Sequence, residues 1–460
     1  MSSFLRKMGR TIARYELLKG GERVLVAVSG GPDSMALLHA LWDMRRESRL
    51  QLVVAYLDHG LRTEAAAEQS LVRQTAAGLG LPFVTERADV RALREKMHLS
   101  LQEAAREARY SFFLKAAFEF SAEKIALGHT ADDQAESVLM RLLRGSGTRG
   151  LAGIPPKRDD RIIRPLIEVW RREVESFLRE RNIPFREDAS NRSFHFLRNR
   201  IRHELVPLLE TYNPRIRQIL LQTAERFRLE EEYWQKLILE KFSSLGRNQE
   251  TGGVRLDIPL LAALPVPLRL RAFRRAVETI LGHLRGFSFP HFQAVESLCQ
   301  NPAPHKKIRL PHGVTISKSY GELSFSLGGK EPAVFEYTVF QPGILEIPEI
   351  RREMRFSIRD KAGEENFGDS PGKVLLEGDH LQFPLTVRSF RAGDRFQPLG
   401  MEGEKKIKDF FIDQKIPLTQ RRKIPLLFFQ NQLLWVAGLR LDHRFRLKPE
   451  SRRVLQVELR

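Results

Sequence analysis

An apolar, β-branched run, Val24-Leu25-Val26-Ala27-Val28, empties into Ser29-Gly30-Gly31-Pro32-Asp33-Ser34 and then into a helix-patterned segment at 35–44. No other stretch constrains the fold as much. The run reads as a buried strand, and the residues after it read as a sharp turn into a helix. Glycines let the backbone turn tightly and approach an anion, and the first N–H groups of the helix point at it. Ser29 and Ser34 add hydroxyl donors. The expected guest of Ser29, Gly30, Gly31, Pro32, Asp33 and Ser34 is a nucleotide. The turn lacks the Gly-Lys-Ser/Thr ending of a Walker-type cradle and the three-glycine spacing of a dinucleotide fold, so neither γ-phosphate transfer nor hydride transfer is its natural chemistry.

The same pattern recurs downstream. Residues 52–57, 82–84 and 124–128 read as strands, and 65–79, 101–120 and 131–143 as helices. The basic opening segment carries Leu5, Met8 and Ile12 at helical spacing and belongs to the fold. Alternation of this kind predicts an α/β fold: a Rossmann-like parallel sheet with helices on both faces and ligands beyond the carboxyl ends of the strands. We expect a catalytic domain over 1–214, closed by a helix at 199–209, with a boundary at Tyr212-Asn213-Pro214. A mainly helical middle domain over 215–330 should end in a hairpin within 307–325. A connecting segment is expected over 331–384, with a linker or edge segment at 328–343 in which a strand at 334–340 is the alternative, then a small, basic α+β C-terminal domain over 385–460.

Lys and Arg number 76 against 57 Asp and Glu, a formal charge of +19 in 460 residues, which favours a polyanionic partner such as nucleic acid over simple solubility charge. Much of the excess lies near the end, where residues 386–460 hold 17 Lys or Arg against 8 Asp or Glu. Cys299 is the only cysteine, which excludes an intramolecular disulfide framework and a cysteine-rich zinc site, and the lack of any cysteine in the first 298 residues argues against sulfur transfer or glutaminase chemistry by the chain's own thiols. No apolar run approaches membrane-spanning length and no secretory signal pattern opens the chain, so a cytoplasmic location without a membrane partner is expected.

Two further strand ends carry candidate groups. Asp58-His59-Gly60-Leu61-Arg62 follows the second strand, where His59 and Gly60 would meet adenine or simply form a strand-to-helix turn. Gly128-His129-Thr130-Ala131-Asp132-Asp133-Gln134-Ala135-Glu136 follows the fourth, and its carboxylates share one helix turn. They are either a helix cap with dipole-favouring acids or a site that holds Mg²⁺, binds a cationic substrate or accepts its proton. On the long helix, Arg106 and Arg109 would neutralise charge building on a phosphate, or form an exposed ion-paired face with Glu103 and Glu107.

Ser-Gly-Gly-Pro-Asp-Ser is a complete match to the pyrophosphate loop of the ATP pyrophosphatases, which this chain resembles. The resemblance implies cleavage of ATP at the α-phosphate to AMP and pyrophosphate, with Asp33 helping to hold Mg²⁺. Together with residues 58–62, 129–137, Arg144-Gly145-Ser146-Gly147, Asp188-Ala189-Ser190-Asn191, Arg198-Asn199-Arg200-Ile201-Arg202, 391–395 and 405–411, the chain resembles the bacterial tRNA(Ile)-lysidine synthetases over nearly its full length. That likeness implies attack of the wobble cytidine's C2 oxygen on ATP, then displacement of AMP by the amine of L-lysine. The isoleucine tRNA would thereby pass from methionine to isoleucine identity and from reading AUG to reading AUA. Lysine's amine, with an ordinary pKa of about 10.4, needs a carboxylate to bind it and an acceptor for its proton. Asp133 and Glu136 are assigned those roles, and His129 is a second choice for proton transfer. Arg198, Arg200 and Arg202 near the crevice, and Arg388, Arg391, Arg395, Lys405, Lys406 and Lys408 in the terminal domain, are candidate tRNA phosphate contacts, with a solvated or structural role the alternative for each. A small-molecule adenylating synthetase and a noncatalytic RNA-binding protein are the competing functions, and a homo-oligomer is left open.

Overall fold

The computed structural model describes all residues except 1, 62–64, 187–193, 195–196, 249–251, 329–333 and 362–371. Arg62 and the Asp188-Ala189-Ser190-Asn191 motif therefore lie outside the described residues. The chain forms two compact units, residues 1–235 and 236–460.

The first unit begins with α1 (Ser3–Arg14), β1 (Arg23–Ala27), α2 (Pro32–Met44), β2 (Gln51–Asp58), α3 (Ala65–Gly78) and β3 (Phe83–Arg87). It continues with α4 (Val90–Met97), α5 (Leu101–Glu119), β4 (Lys124–Ala126), α6 (Ala131–Leu143), α7 (Thr148–Leu151), β5 (Lys157–Arg158), β6 (Ile162–Ile163) and α8 (Arg171–Glu180). Next come α9 (Leu197–Arg200), one π-helical turn (Ile201–Leu205), α10 (Val206–Tyr212) and the 30-residue α11 (Ile216–Leu245), which runs through the division between the units.

The sheet order is β3-β2-β1-β4-β6-β5. All pairs are parallel except β5 with β6. Each central strand is buried on both faces, which is why its sequence reads as an uninterrupted apolar run. Val24, Val26 and Val28 pack with Met8, Met35 and Phe177 on one face, while Leu25 and Ala27 pack with Phe112, Phe113 and Ala116 on the other. Strand order reverses between β1 and β4, so the segments that leave those two strands open side by side at the topological switch point, where open α/β sheets bind ligands.

Two departures from the sequence reading occur in this unit. α4 is an additional helix of eight residues: Asp89 caps it by accepting from Arg91 and Ala92, and Val90, Leu93 and Met97 recur at helical spacing, but only Val90 is buried. α2 starts at Pro32, within the loop motif, because proline is well suited to the first helical position, where no N–H is needed.

In the second unit the hairpin expected within 307–325 is present, formed by Val314–Ser319 and Glu322–Leu327. It is the centre of a five-stranded antiparallel sheet completed by Gly246–Asn248, Val254–Asp257 and His305–Arg309. The helices Val266–Leu281 and Phe289–Gln300 cover it through Phe273, Val277, Phe292 and Val295. Helices make up most of this middle region, as expected, and they pack on a sheet that the sequence pattern shows only as its hairpin.

Residues 331–384, expected to connect, supply four strands instead. Glu336–Val339 forms the edge of a five-stranded sheet beside Leu385–Arg388, while Gly343–Ile347, Arg352–Asp360 and Lys373–Glu377 build a four-stranded sheet around the terminal strand Arg453–Leu459. Most of their partners lie far downstream, so the local sequence does not announce the pairing. Leu376, Leu427, Trp435 and Val457 share one core. The short helix Ile407–Asp413 buries Phe410 and Phe411 in another. Among the described residues no helix is long and apolar enough to cross a membrane.

Candidate active site at the switch point

The loop after β1 is organised by its own hydroxyls. Ser34 Oγ accepts from the Ser29 N–H at 3.1 Å and donates to the Gly31 carbonyl at 3.0 Å, and the two serine hydroxyls lie 3.2 Å apart. Gly30 adopts φ +82°, a conformation that costs a side-chain-bearing residue, and Gly31 caps α2 with no side-chain hydrogen bond. The leading N–H groups of α2 are consequently not taken by a capping side chain, the condition for anion binding. Gly128 at the end of β4 closes on this loop: a Cβ there would sit 3.1 Å from the Asp33 carbonyl and the Ser34 nitrogen.

Asp33 lies on the first turn of α2 with its carboxylate mostly buried. One oxygen, Oδ2, accepts from Arg171 Nη2 at 3.1 Å; the other, Oδ1, is buried and has no hydrogen-bond partner among the described residues. Burial pushes Asp33 up to about 6 against the pull of Arg171, and Asp133 adds to the rise. Arg171 is the first residue of α8, and its backbone N–H donates to Asp132 Oδ2 at 2.7 Å.

The acidic turn on α6 contrasts with this. Thr130 and Asp133 form a reciprocal capping box, with Asp133 Oδ2 accepting from the Thr130 N–H at 2.8 Å. Asp133 Oδ1 accepts from Arg198 Nη2 at 2.9 Å. Glu136, with a side chain only 1% exposed, accepts from Arg198 Nε at 2.9 Å and from Arg202 Nε and Nη2 at 2.6 and 3.0 Å. Burial opposes ionisation of Asp133, but Arg198, His129 and the Thr130 N–H outweigh it and hold the carboxyl below its ordinary value. The arginines reach α6 because Ala135, Val138 and Leu139 pack against Ile201, Val206 and Leu220. The π-helical turn lies between Arg200 and Val206.

Arg198 and Arg202 are placed as in the structural alternative, their guanidinium groups engaged by Asp133 and Glu136. Arg200 is exposed and pairs with Glu204 at 3.3 Å. His129 is held uncharged: burial lowers it to about 4, with Arg164, Arg198 and Arg109 opposing Asp133, and its Nδ1 is buried without a hydrogen-bond partner among the described residues. Arg109 is exposed, yet enough protein surrounds it for desolvation to lower it, with Arg106 and Arg198 adding cationic repulsion, so it belongs to the same electrostatic neighbourhood. Arg106 is exposed and stacks on Tyr110 at 4.9 Å. His59 and Gly60 end β2, where the Gly60 N–H donates to Asp58 at 2.8 Å.

In the terminal region Arg388 also has the structural surroundings given as its alternative. Its guanidinium makes a two-pronged pair with Asp394 at 2.9 and 2.8 Å and lies 4.0 Å from the Phe428 ring centre, so it holds the fold together. Arg391 pairs with Glu336 at 2.5 Å and Lys405 with Asp413. Arg395, Lys406 and Lys408 are exposed.

Sequence reasoning missed Arg171, and it named Asp132 among the acids of the α6 turn without its role as the anchor of the Arg171 backbone. The one local sign was a cation at the first position of a helix, against the dipole.

The PP-loop domain family matches residues 2–209, the TilS substrate binding domain 256–324 and the TilS substrate C-terminal domain 385–458. The tRNA(Ile)-lysidine synthase of Geobacter sulfurreducens is 39% identical over 464 residues, covering 100% of this chain and 98% of that protein. The chain belongs to the tRNA(Ile)-lysidine synthase family. A second relative of that name, from Symbiobacterium thermophilum, is 37% identical over 474 residues and covers 99% of this chain and 98% of its own length. The Dehalococcoides mccartyi tRNA(Ile)-lysidine synthase is 33% identical over 488 residues, covering 99% and 98%. Membership in the tRNA(Ile)-lysidine synthase family accounts for the three matched segments occurring in this order on one chain.

Proposed function

We propose that this chain is an ATP-dependent ligase that joins L-lysine to C2 of the wobble cytidine of an isoleucine tRNA, releasing AMP and pyrophosphate. The observation that carries the reading is the pairing of a phosphate cradle after β1 with a carboxylate-bearing turn after the adjacent β4, on a chain similar to lysidine synthases from end to end.

Ser29, Gly30, Gly31, Pro32 and Ser34 hold the β- and γ-phosphates at the start of α2, with His59 and Gly60 toward the adenine. The C2 oxygen of cytosine attacks the α-phosphate, pyrophosphate leaves, and Arg109 with Arg106 neutralises the charge that builds. The lysine amine then attacks C2 and AMP departs. Asp133 and Glu136 bind the incoming ammonium by exchanging part of their arginine contacts for it. An unprotonated carboxylate of this pair, or the uncharged His129, accepts its proton. An unpaired anticodon base can splay into such a crevice.

Mg²⁺ fits Asp33. The buried, unpartnered Oδ1 is a hard oxygen donor at the cradle, and one protein carboxylate plus substrate phosphates is the usual arrangement for this ion. No cluster of three or more metal-ligating side chains exists among the described residues, in keeping with an ion that arrives on the nucleotide. When bound it supplies charge neutralisation on the phosphates. Arg395, Lys406 and Lys408 provide the exposed charge for the tRNA backbone, with Arg200 closer to the crevice.

The test is incubation with ATP, isotopically labelled lysine and a tRNA mixture, followed by digestion and mass spectrometry of nucleosides. Label in a cytidine derivative that carries lysine is the expected result; label absent from RNA despite ATP turnover overturns the reading in favour of a small-molecule synthetase.

A further inference from the structure

Asp33 and Arg171 are joined by one hydrogen bond, yet both keep a buried polar atom with no partner among the described residues: Asp33 Oδ1 and Arg171 Nε. An aspartate and an arginine facing each other usually form two parallel bonds that satisfy both groups. Here the geometry is one bond short, and each leftover atom carries the desolvation cost of a buried unsatisfied group. Arg171 is fixed from behind, since its backbone N–H is anchored on Asp132 Oδ2 at 2.7 Å. Asp132 Oδ1 in turn accepts from Arg217 on α11 at 2.8 Å. A cation has thereby been placed at the first position of α8, against the helix dipole, and held within reach of the phosphate cradle.

We propose that Arg171 is a nucleotide-phosphate ligand held in reserve: Asp33 occupies it while the cradle is empty, and the β- or γ-phosphate of ATP takes Asp33's place when the nucleotide binds. The inference rests on the ATP-dependent reading above. The exchange conserves charge, because Arg171 passes from one anion to another while the Asp33 carboxylate turns to the cation that accompanies the nucleotide. Both unsatisfied atoms gain partners in the same event. Asp132 is a positioning residue, acting through the Arg171 backbone.

The experiment measures binding rather than turnover. ATP and AMP affinities are determined by calorimetry with magnesium for the wild-type chain, R171Q and R171K, each checked for native circular dichroism. R171Q is expected to bind ATP at least about tenfold more weakly, with AMP affinity changed by less than about twofold, and R171K to recover part of the loss. Equal weakening of ATP and AMP, or no weakening of either, overturns the proposal and leaves Arg171 a strut for Asp33. A second variant covers poor folding of R171Q: in EDTA, D33N should bind ATP more tightly than wild type because Arg171 is released, and D33N/R171K should keep most of that gain. No gain in D33N contradicts the exchange. Because these readouts need neither lysine nor RNA, they stand apart from failure of the lysidine reading, which the labelled-nucleoside experiment detects.

Discussion

The carboxylates after β1 and after β4 face the same crevice but are treated in opposite ways. Asp133 and Glu136 on α6 have their oxygens filled by Arg198, Arg202 and the Thr130 N–H, and Asp133 is stabilised as an anion. Asp33 on α2 has one oxygen filled and one without a partner among the described residues, and burial raises it to about 6. The first arrangement is an ion-pair lock that the proposed lysine ammonium would have to open in part; the second leaves one oxygen without a partner among the described residues, the position that the proposed exchange with a nucleotide uses. Unpartnered buried atoms recur among the described residues, at Arg255 Nε and His443 Nδ1 among others, and Asp33 differs from these in standing at the phosphate cradle.

The contrast breaks most sharply on substitution. Removing Glu136 leaves two guanidinium groups facing a buried void, so E136A should lose about 3–5 kcal/mol of stability, measured by chemical denaturation, together with lysine incorporation. A loss under about 1 kcal/mol would show that the lock is not closed. Asp33 should respond in the other direction. Its native value lies above the unfolded one, so its ionisation costs stability as pH rises from about 4 to about 6 and the cost persists at neutrality. D33N should accordingly be about 1–2 kcal/mol more stable than wild type at pH 7 and no more stable at pH 4, while losing magnesium-dependent ATP binding. Asp133, held low, contributes stability that is present above about pH 4 and lost on further acidification.

The same raised value predicts that magnesium-dependent ATP binding in wild type weakens as pH falls through about 6, by about tenfold per unit at the limit. A profile flat down to about pH 5 would place the titrating group elsewhere. The smallest changes in nucleotide binding are expected in the terminal region. K406A/K408A should weaken tRNA binding and lower the salt slope by about one to two, with ATP affinity unchanged. R388A should instead cost about 1–3 kcal/mol of stability through its Asp394 pair and Phe428 contact. Equal tRNA-specific losses from both variants would erase the distinction between structural and phosphate-contacting cations.

How much of the molecule is legible in its sequence depends on how local each signal is. Strand β1, its loop and α6 are legible because a buried parallel strand is written as a continuous apolar run and α6 carries its own capping box. The site's acids are found for the same reason: Asp33, Asp133 and Glu136 sit on the elements that declare themselves. Their partners are not. Arg171 lies 138 residues from Asp33, and Arg202 lies 66 from Glu136, so a basic helix that looks displayed for RNA is turned inward by a contact no local pattern records. Residues 334–340 do show a strand pattern, but the other three of the four strands within 336–377 are hidden likewise: Arg352–Asp360 finds its downstream partner only in Arg453–Leu459.

The central claim is tested most directly by the identity of the nucleotide products when the protein turns over α-labelled ATP with lysine and its tRNA. Cleavage at the cradle after β1 predicts AMP and pyrophosphate in equal amounts, formed only with RNA present and matched by lysine entering it. ADP and orthophosphate in their place would contradict it.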